Sequence, residues 1–214
     1  MASTLTRQEV DGIPEAYYIR NVLSKSECEE YIKFAEDKGF DDATVPFYQT
    51  ARIDNAELRY RSNKRLVVQI SIKDTKRLWK RIGELLPRRI FDGKFALCEG
   101  HSAFNRICRF YRYEQGQRFK AHFDNSFKRD ASVRSRFSFL IYLNGDFEGG
   151  TTTFYKWNEE TKKLDAFPFK PQQGTCLFFH HTGKLSPLHE GSPITSTDSR
   201  KYVIRSDLMY TQVE

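Results

Sequence analysis

The sequence has no apolar run near the roughly 20 residues that a helix needs to cross a bilayer. Its opening stretch, MASTLTRQEVDG, is too polar for a signal peptide. Both features point to an intracellular chain, cytoplasmic or nuclear, with no membrane partner. Cysteine is sparse. Cys28, Cys98, Cys108 and Cys176 stand far apart, without CxxC or zinc-finger spacing. That excludes a disulfide framework or a structural zinc as the organising feature, and reduced thiols are expected. No internal repeat, low-complexity tract or linker interrupts the 214 residues, so 1–214 reads as one domain with a real core. No separate peptide-binding or nucleic-acid module stands out. A net charge of +7 permits an anionic partner such as nucleic acid. Lys and Arg are nevertheless spread along the chain, as on a solvated basic surface.

Aromatic residues are plentiful, with 18 Phe and 11 Tyr, many in alternating runs that favour β-structure. Residues 1–15 read as a loose arm and 16–23 (AYYIRNVL) as a first strand. Ser24 with Glu27 three residues on forms a capping box. A helix follows, with an apolar stripe of Cys28, Tyr31, Ile32 and Ala35 and a stop at Gly39. Residues 41–66 read as a loop with short strands. A second helix is expected from Asp74 to Leu86, ended by Pro87, and 91–102 is again loop-like. From Ala103 onward, short β-prone runs alternate with turn signals such as Asn144-Gly145-Asp146 and Gly149-Gly150. The expected class is α+β, mostly β: a sandwich or jelly roll with the helices buttressing one sheet.

Chemistry concentrates in RFYRYEQGQRFKAHFD, residues 109–124. On a strand, alternate side chains share a face, so His122 and Asp124 project together. With a distant second histidine they make a two-His-one-carboxylate set, which favours Fe(II) and leaves metal positions open. Of the five histidines, His189 lies 67 residues after His122, in PLHEGSP. His180 and His181 compete for the role, but they follow their strand directly, where a histidine is more often structural.

The ordered set Tyr113, His122-x-Asp124, FLIYLNGDFEGGTTTF, GTCLFF, LHEGSPIT and KYVIRSD resembles the prolyl 4-hydroxylase-like branch of the Fe(II)/2-oxoglutarate oxygenases. The resemblance covers residues 100–210. It implies a double-stranded β-helix (jelly roll, cupin-like) core at 101–214, with N-terminal helical support at 1–100. It implies Fe(II) on His122, Asp124 and His189, and 2-oxoglutarate hydrogen-bonded by Tyr113 and Thr152. It also implies a cation on the last strand for the distal carboxylate. The family usually places a Lys ten residues after the distal His. Here that position is Ser199, and Lys201 comes at twelve. Lys201 is favoured, with Arg205 and Arg200 as alternatives.

The implied reaction consumes 2-oxoglutarate and O2, releases succinate and CO2, and hydroxylates an unactivated C–H, with ascorbate as an accessory reductant. The implied substrate is a prolyl or other residue of a protein or peptide. The +7 charge and the basic stretch 125–136 leave a nucleic acid open, and a small metabolite is a further class. A non-catalytic jelly-roll binding module is the rival without turnover. Residues 41–66 and 125–136 are the expected substrate lids.

Overall fold

The computed structural model describes residues 4–43, 61–181 and 183–213. In chain order the elements are β1 (Arg7–Glu9), β2 (Ala16–Ile19), α1 (Lys25–Lys38), β3 (Asp41–Asp42), β4 (Lys64–Gln69) and α2 (Ile72–Ile82). Then come β5 (Arg89–Ile90), β6 (Phe95–Leu97), β7 (Ile107–Tyr113), β8 (Phe119–His122) and β9 (Val133–Tyr142). The chain closes with β10 (Thr152–Asn158), β11 (Lys163–Phe169), β12 (Cys176–His180), β13 (Leu188–Gly191) and β14 (Lys201–Gln212). They form a large antiparallel sheet in the order β1-β2-β12-β9-β14-β7-β4-β3 and a small one in the order β11-β10-β13-β8. The fold is mostly β, a double-stranded β-helix with the helices on one side.

Alternation along the central strand sets the layers. On β14, Tyr202, Ile204, Leu208 and Tyr210 join a core shared with Cys28, Ala35, Leu78 and Ile82 of the helices. Val203 faces the other way, into a core with Tyr113, Tyr142, Phe154 and Phe179 between the sheets. Lys201, Arg205 and Asp207 share the parity of Val203, so charged side chains enter the space between the sheets. Truncating a fully buried aromatic such as Phe139 or Phe178 would cost about 3–5 kcal/mol.

The capping box forms as expected, with Ser24 and Glu27 reciprocally bonded and Gly39 at the helix end, at φ 85°. Glu27 also takes a two-pronged bond from Arg81 of α2, at 2.7 and 2.8 Å. The second helix starts earlier than expected, because Ser71 caps it by accepting from the Asp74 N–H. It ends earlier too, passing at Gly83 into a single 3-10 turn.

The arm before residue 15 is not loose throughout. β1 pairs with β2, Arg7 opposite Ile19. β3 and the start of β4 fall in the stretch expected as a loop with short strands, and β4 runs on past it, carrying Leu66, Val67 and Val68 along β7. β6 lies on the end of β14, within the stretch read as loop. Strands from before residue 100 therefore extend the large sheet rather than only helices backing it. The expected lid at 41–66 lies outside the described residues over 44–60. The 125–136 stretch is shorter as a loop than expected, since β9 begins at Val133. Within it, Arg129 donates to the Ser102 and Phe104 carbonyls, and Arg136 stacks over Phe95 at 3.9 Å.

Candidate metal centre

β8 and β13 are neighbours, and His122 sits directly opposite His189 across the pair. His189 is itself on a strand. The Asp124 carboxylate lies 3.6 Å from each Nε2, Oδ1 toward His122 and Oδ2 toward His189. One donor atom from each of the three residues falls within 4.8 Å of the others. Each Nδ1 lies against a backbone carbonyl two residues earlier, His122 on Lys120 at 2.8 Å and His189 on Pro187 at 3.1 Å. A carbonyl only accepts, so Nδ1 carries the proton and Nε2 turns a lone pair toward the cluster.

Burial pushes the His189 pKa down to about 4, so the imidazole is neutral at pH 7. Burial alone would raise the Asp124 carboxyl. Arg205 and the two histidines outweigh it and hold the carboxyl well below the ordinary value. Phe119 stacks on His122 with ring centroids 3.6 Å apart, and Phe179 meets His189 edge-on at 4.6 Å. Two imidazoles and one carboxylate, walled by aromatics, suit divalent iron.

A pocket runs inward from this cluster, lined by Tyr113, Thr152, Leu140, Gly191, Lys201 and Arg205 among others. Tyr113 on β7 is directly opposite Lys201 on β14, and the Lys201 ammonium lies 5.1 Å from the Tyr113 ring centre. Lys201 is 2% exposed, and its Nζ donates to the Gly150 carbonyl at 2.6 Å. Burial pushes its pKa down to about 7. Gly150 has φ 59°, and a Cβ there would collide with Ile194 and Phe147, which accounts for glycine at that position. The Thr152 hydroxyl pairs with Tyr142 at 2.7 Å. Burial raises the pKa of both Tyr113 and Tyr142, so both phenols stay protonated at neutral pH.

Arg205 takes a different position from Lys201. It spans Asp124 and Asp207, at 3.4 and 3.0 Å. Arg200 is half exposed, on Glu36 and Glu114, away from the pocket. His180 packs against Phe91 and Phe137. His181 lies between Ser135 and Ser138, close behind Asp124 rather than beside His122. Tyr142, Ser138 and Asp207 were not anticipated as neighbours of the site. A signal existed for two of them. Ser138 interrupts the otherwise apolar FSFLIYL, and Asp207 is the one acid in KYVIRSDLMYTQ.

Residues 108–206 match the family model described as the 2OG-Fe(II) oxygenase superfamily. A curated protein of Arabidopsis thaliana described as "Probable prolyl 4-hydroxylase 6" is 25% identical over 204 residues, covering 87% of this chain and 66% of that protein. The chain thus spans just under two thirds of that relative's length. Among solved structures, the 2-oxoglutarate complex of a viral collagen prolyl hydroxylase from Paramecium Bursaria Chlorella virus-1 superposes with a TM-score of 0.57 at 19% identity, over 94% of this chain and 98% of that one. A Trichoplax adhaerens prolyl hydroxylase in complex with a hypoxia inducible factor peptide fragment gives a TM-score of 0.63 at 18% identity, over 92% and 84%. These structural likenesses establish the shared fold. The matched segment spans both histidines and the first half of the central strand, so residues 108–206 are similar to the 2OG-Fe(II) oxygenase superfamily, a family that uses Fe(II), 2-oxoglutarate and O2, and the chain resembles curated proteins described as prolyl 4-hydroxylases.

Proposed function

We propose that this chain hydroxylates a prolyl residue of a protein or peptide, with Fe(II) held by His122, Asp124 and His189 and 2-oxoglutarate reaching from the metal to Lys201. Lys201 is the observation that carries the reading. A buried ammonium that, among the described residues, hydrogen-bonds the Gly150 carbonyl alone is costly unless an anion joins it. The metal cluster at the other end of the same pocket takes oxygen ligands. A dicarboxylate meets the needs of both ends. Tyr113 and Thr152 then supply hydroxyl donors along its length, and Tyr142 holds Thr152 in place. Arg205 is assigned to the metal side, because Asp124 and Asp207 already claim its guanidinium.

When bound, iron with 2-oxoglutarate and O2 supplies an oxidative decarboxylation that leaves succinate, CO2 and a hydroxyl on an unactivated C–H. Ascorbate fits as the reductant that keeps iron ferrous. The chain's own residues bind, orient and exclude water. Phe119, Phe154 and Phe179 line the histidines, so few waters compete for the cluster.

A peptide substrate is supported by the relatives, which are described as prolyl 4-hydroxylases, and by the Trichoplax neighbour, which was solved with a peptide. A nucleic-acid substrate draws less support, since Arg129 and Arg136 of the basic stretch are engaged within the chain. We take 1–214 as one catalytic unit, intracellular in the cytoplasm or nucleus. The four unpaired cysteines support that placement, and no described helix is long and apolar enough to cross a membrane. The test is succinate formation from 2-oxoglutarate with added iron over a panel of proline-containing peptides. Succinate that appears only with iron and rises with one peptide supports the reading. No iron-dependent succinate with any peptide sinks it.

A further inference from the structure

A chain of hydrogen bonds with one direction lies behind Asp124. The Phe127 N–H donates to Ser135 Oγ at 2.7 Å. Ser135 Oγ meets His181 Nε2 at 3.0 Å, and His181 Nδ1 meets Ser138 Oγ at 3.0 Å. Ser138 Oγ reaches Asp124 Oδ2 at 2.5 Å. An ionised carboxylate only accepts, so Ser138 gives its single hydroxyl proton to Asp124. It must then accept from His181, which therefore carries its proton on Nδ1 and accepts at Nε2 from Ser135. Donors and acceptors match along the whole path. Both ends fall within residues 124–127, so the path also pins the turn that leaves the ligand.

Arg205 adds a second hold on the same oxygen. Its Nη2 lies 3.4 Å from Asp124 Oδ2 and 3.3 Å from Ser138 Oγ. Its Nη1 is fixed on Asp207 Oδ1 at 3.0 Å, and the Asp207 side chain is fully buried. Asp207 Oδ2 in turn accepts from Asn105 at 2.9 Å. Each Asp124 oxygen lies 3.6 Å from one histidine Nε2, Oδ1 from His122 and Oδ2 from His189, but Oδ2 alone also has Ser138 and Arg205 on it.

We infer that Ser138 and Arg205, backed by His181 and Asp207, are positioning residues that occupy Asp124 Oδ2 and restrict the carboxylate to one-oxygen ligation through Oδ1. The inference rests on reading His122, Asp124 and His189 as the metal ligands. A carboxylate with both oxygens loose can chelate, taking two coordination positions and leaving fewer for the cosubstrate and O2. Outer hydrogen bonds that orient a ligand are worth roughly 10- to 100-fold in metal affinity or activity.

The probe is Co(II) alone, titrated into the full chain without 2-oxoglutarate and followed by calorimetry and visible absorption. Ser138→Ala leaves the Arg205–Asp207 pair in place, so its fold is expected to survive, with unchanged circular dichroism. It is expected to bind Co(II) roughly 10-fold or more weakly and to shift the visible bands as ligand geometry changes. Arg205→Met should weaken Co(II) binding further, but it strands the buried Asp207 carboxylate, so Ser138→Ala is the deciding variant. A Ser138→Ala chain with wild-type affinity and a wild-type spectrum overturns the inference while leaving the ligand set standing. A wild-type chain that binds no Co(II) overturns the ligand set, and this inference with it.

Discussion

Lys201 donates to the backbone carbonyl of Gly150 at 2.6 Å, and no carboxylate among the described residues forms an ion pair with it. Arg205, on the same face of the same strand four residues on, has two. That contrast separates two cations that look equivalent in the sequence, and it gives the first prediction. Lys201→Ala should raise the 2-oxoglutarate KM by roughly 30- to 1000-fold, the loss of one charge-assisted contact worth about 2–4 kcal/mol. Co(II) affinity in the absence of 2-oxoglutarate should stay unchanged. Steady-state kinetics and a metal titration check both halves. A Lys201→Ala enzyme with a near wild-type KM, beside an Arg205→Ala enzyme that no longer binds 2-oxoglutarate, would move the carboxylate-binding role to Arg205.

Stability should move the opposite way at this position. Burial lowers the Lys201 pKa from 10.5 to about 7 in the folded chain. Below pH 7 the folded chain bears the full cost of a buried ammonium. Between 7 and 10.5 the unfolded chain holds the proton and the folded chain releases it, so this group makes stability rise with pH. Lys201→Met removes the charge at similar volume. It should stabilise the free protein by on the order of 4 kcal/mol at pH 6, and by progressively less toward pH 10. Urea unfolding at pH 6 and pH 9.5 reads the difference. An equal gain at both values, or a loss at pH 6, contradicts it.

The helix pair has its own signature in acid. Arg81 hydrogen-bonds Glu27 and lowers its pKa from 4.5 to about 2. The stability from this pair is fully present above pH 4.5 and is lost as pH falls from 4.5 toward 2. Glu27→Gln should cost about 2 kcal/mol at pH 7, since it weakens both the capping box and the tie to α2. The gap between the two proteins should close by pH 2. A gap that persists unchanged at pH 2 would place the cost elsewhere.

Much of the site could be read from order and spacing. His122 and Asp124 fall on one face because strand geometry has a period of two, and the capping box at Ser24 is a local code that tertiary packing does not override. His189 needed more. Its neighbours Pro187, Gly191 and Pro193 are loop-forming, yet β13 forms because β10 and β8 flank it on either side. The extent and partner of β4 were not legible, because a polar stretch precedes it and its pairing partner β7 lies some forty residues away. The roles of Ser138, His181 and Asp207 depend on side chains from separate strands meeting at one carboxylate. No local pattern encodes such a meeting. Lys201 and Arg205 differ in which of them already has acidic neighbours, and only the three-dimensional arrangement contains that.

The central claim is that this chain couples 2-oxoglutarate oxidation to hydroxylation of a prolyl peptide at the His122–Asp124–His189 cluster. Turnover under isotopically heavy O2 tests it most directly, with mass spectrometry of the peptide and quantitation of succinate in the same reaction. The account predicts one heavy oxygen on a proline of the peptide for each succinate formed, and neither product with His122→Ala. Heavy oxygen placed on the peptide without succinate, or both products formed undiminished by His122→Ala, would contradict it.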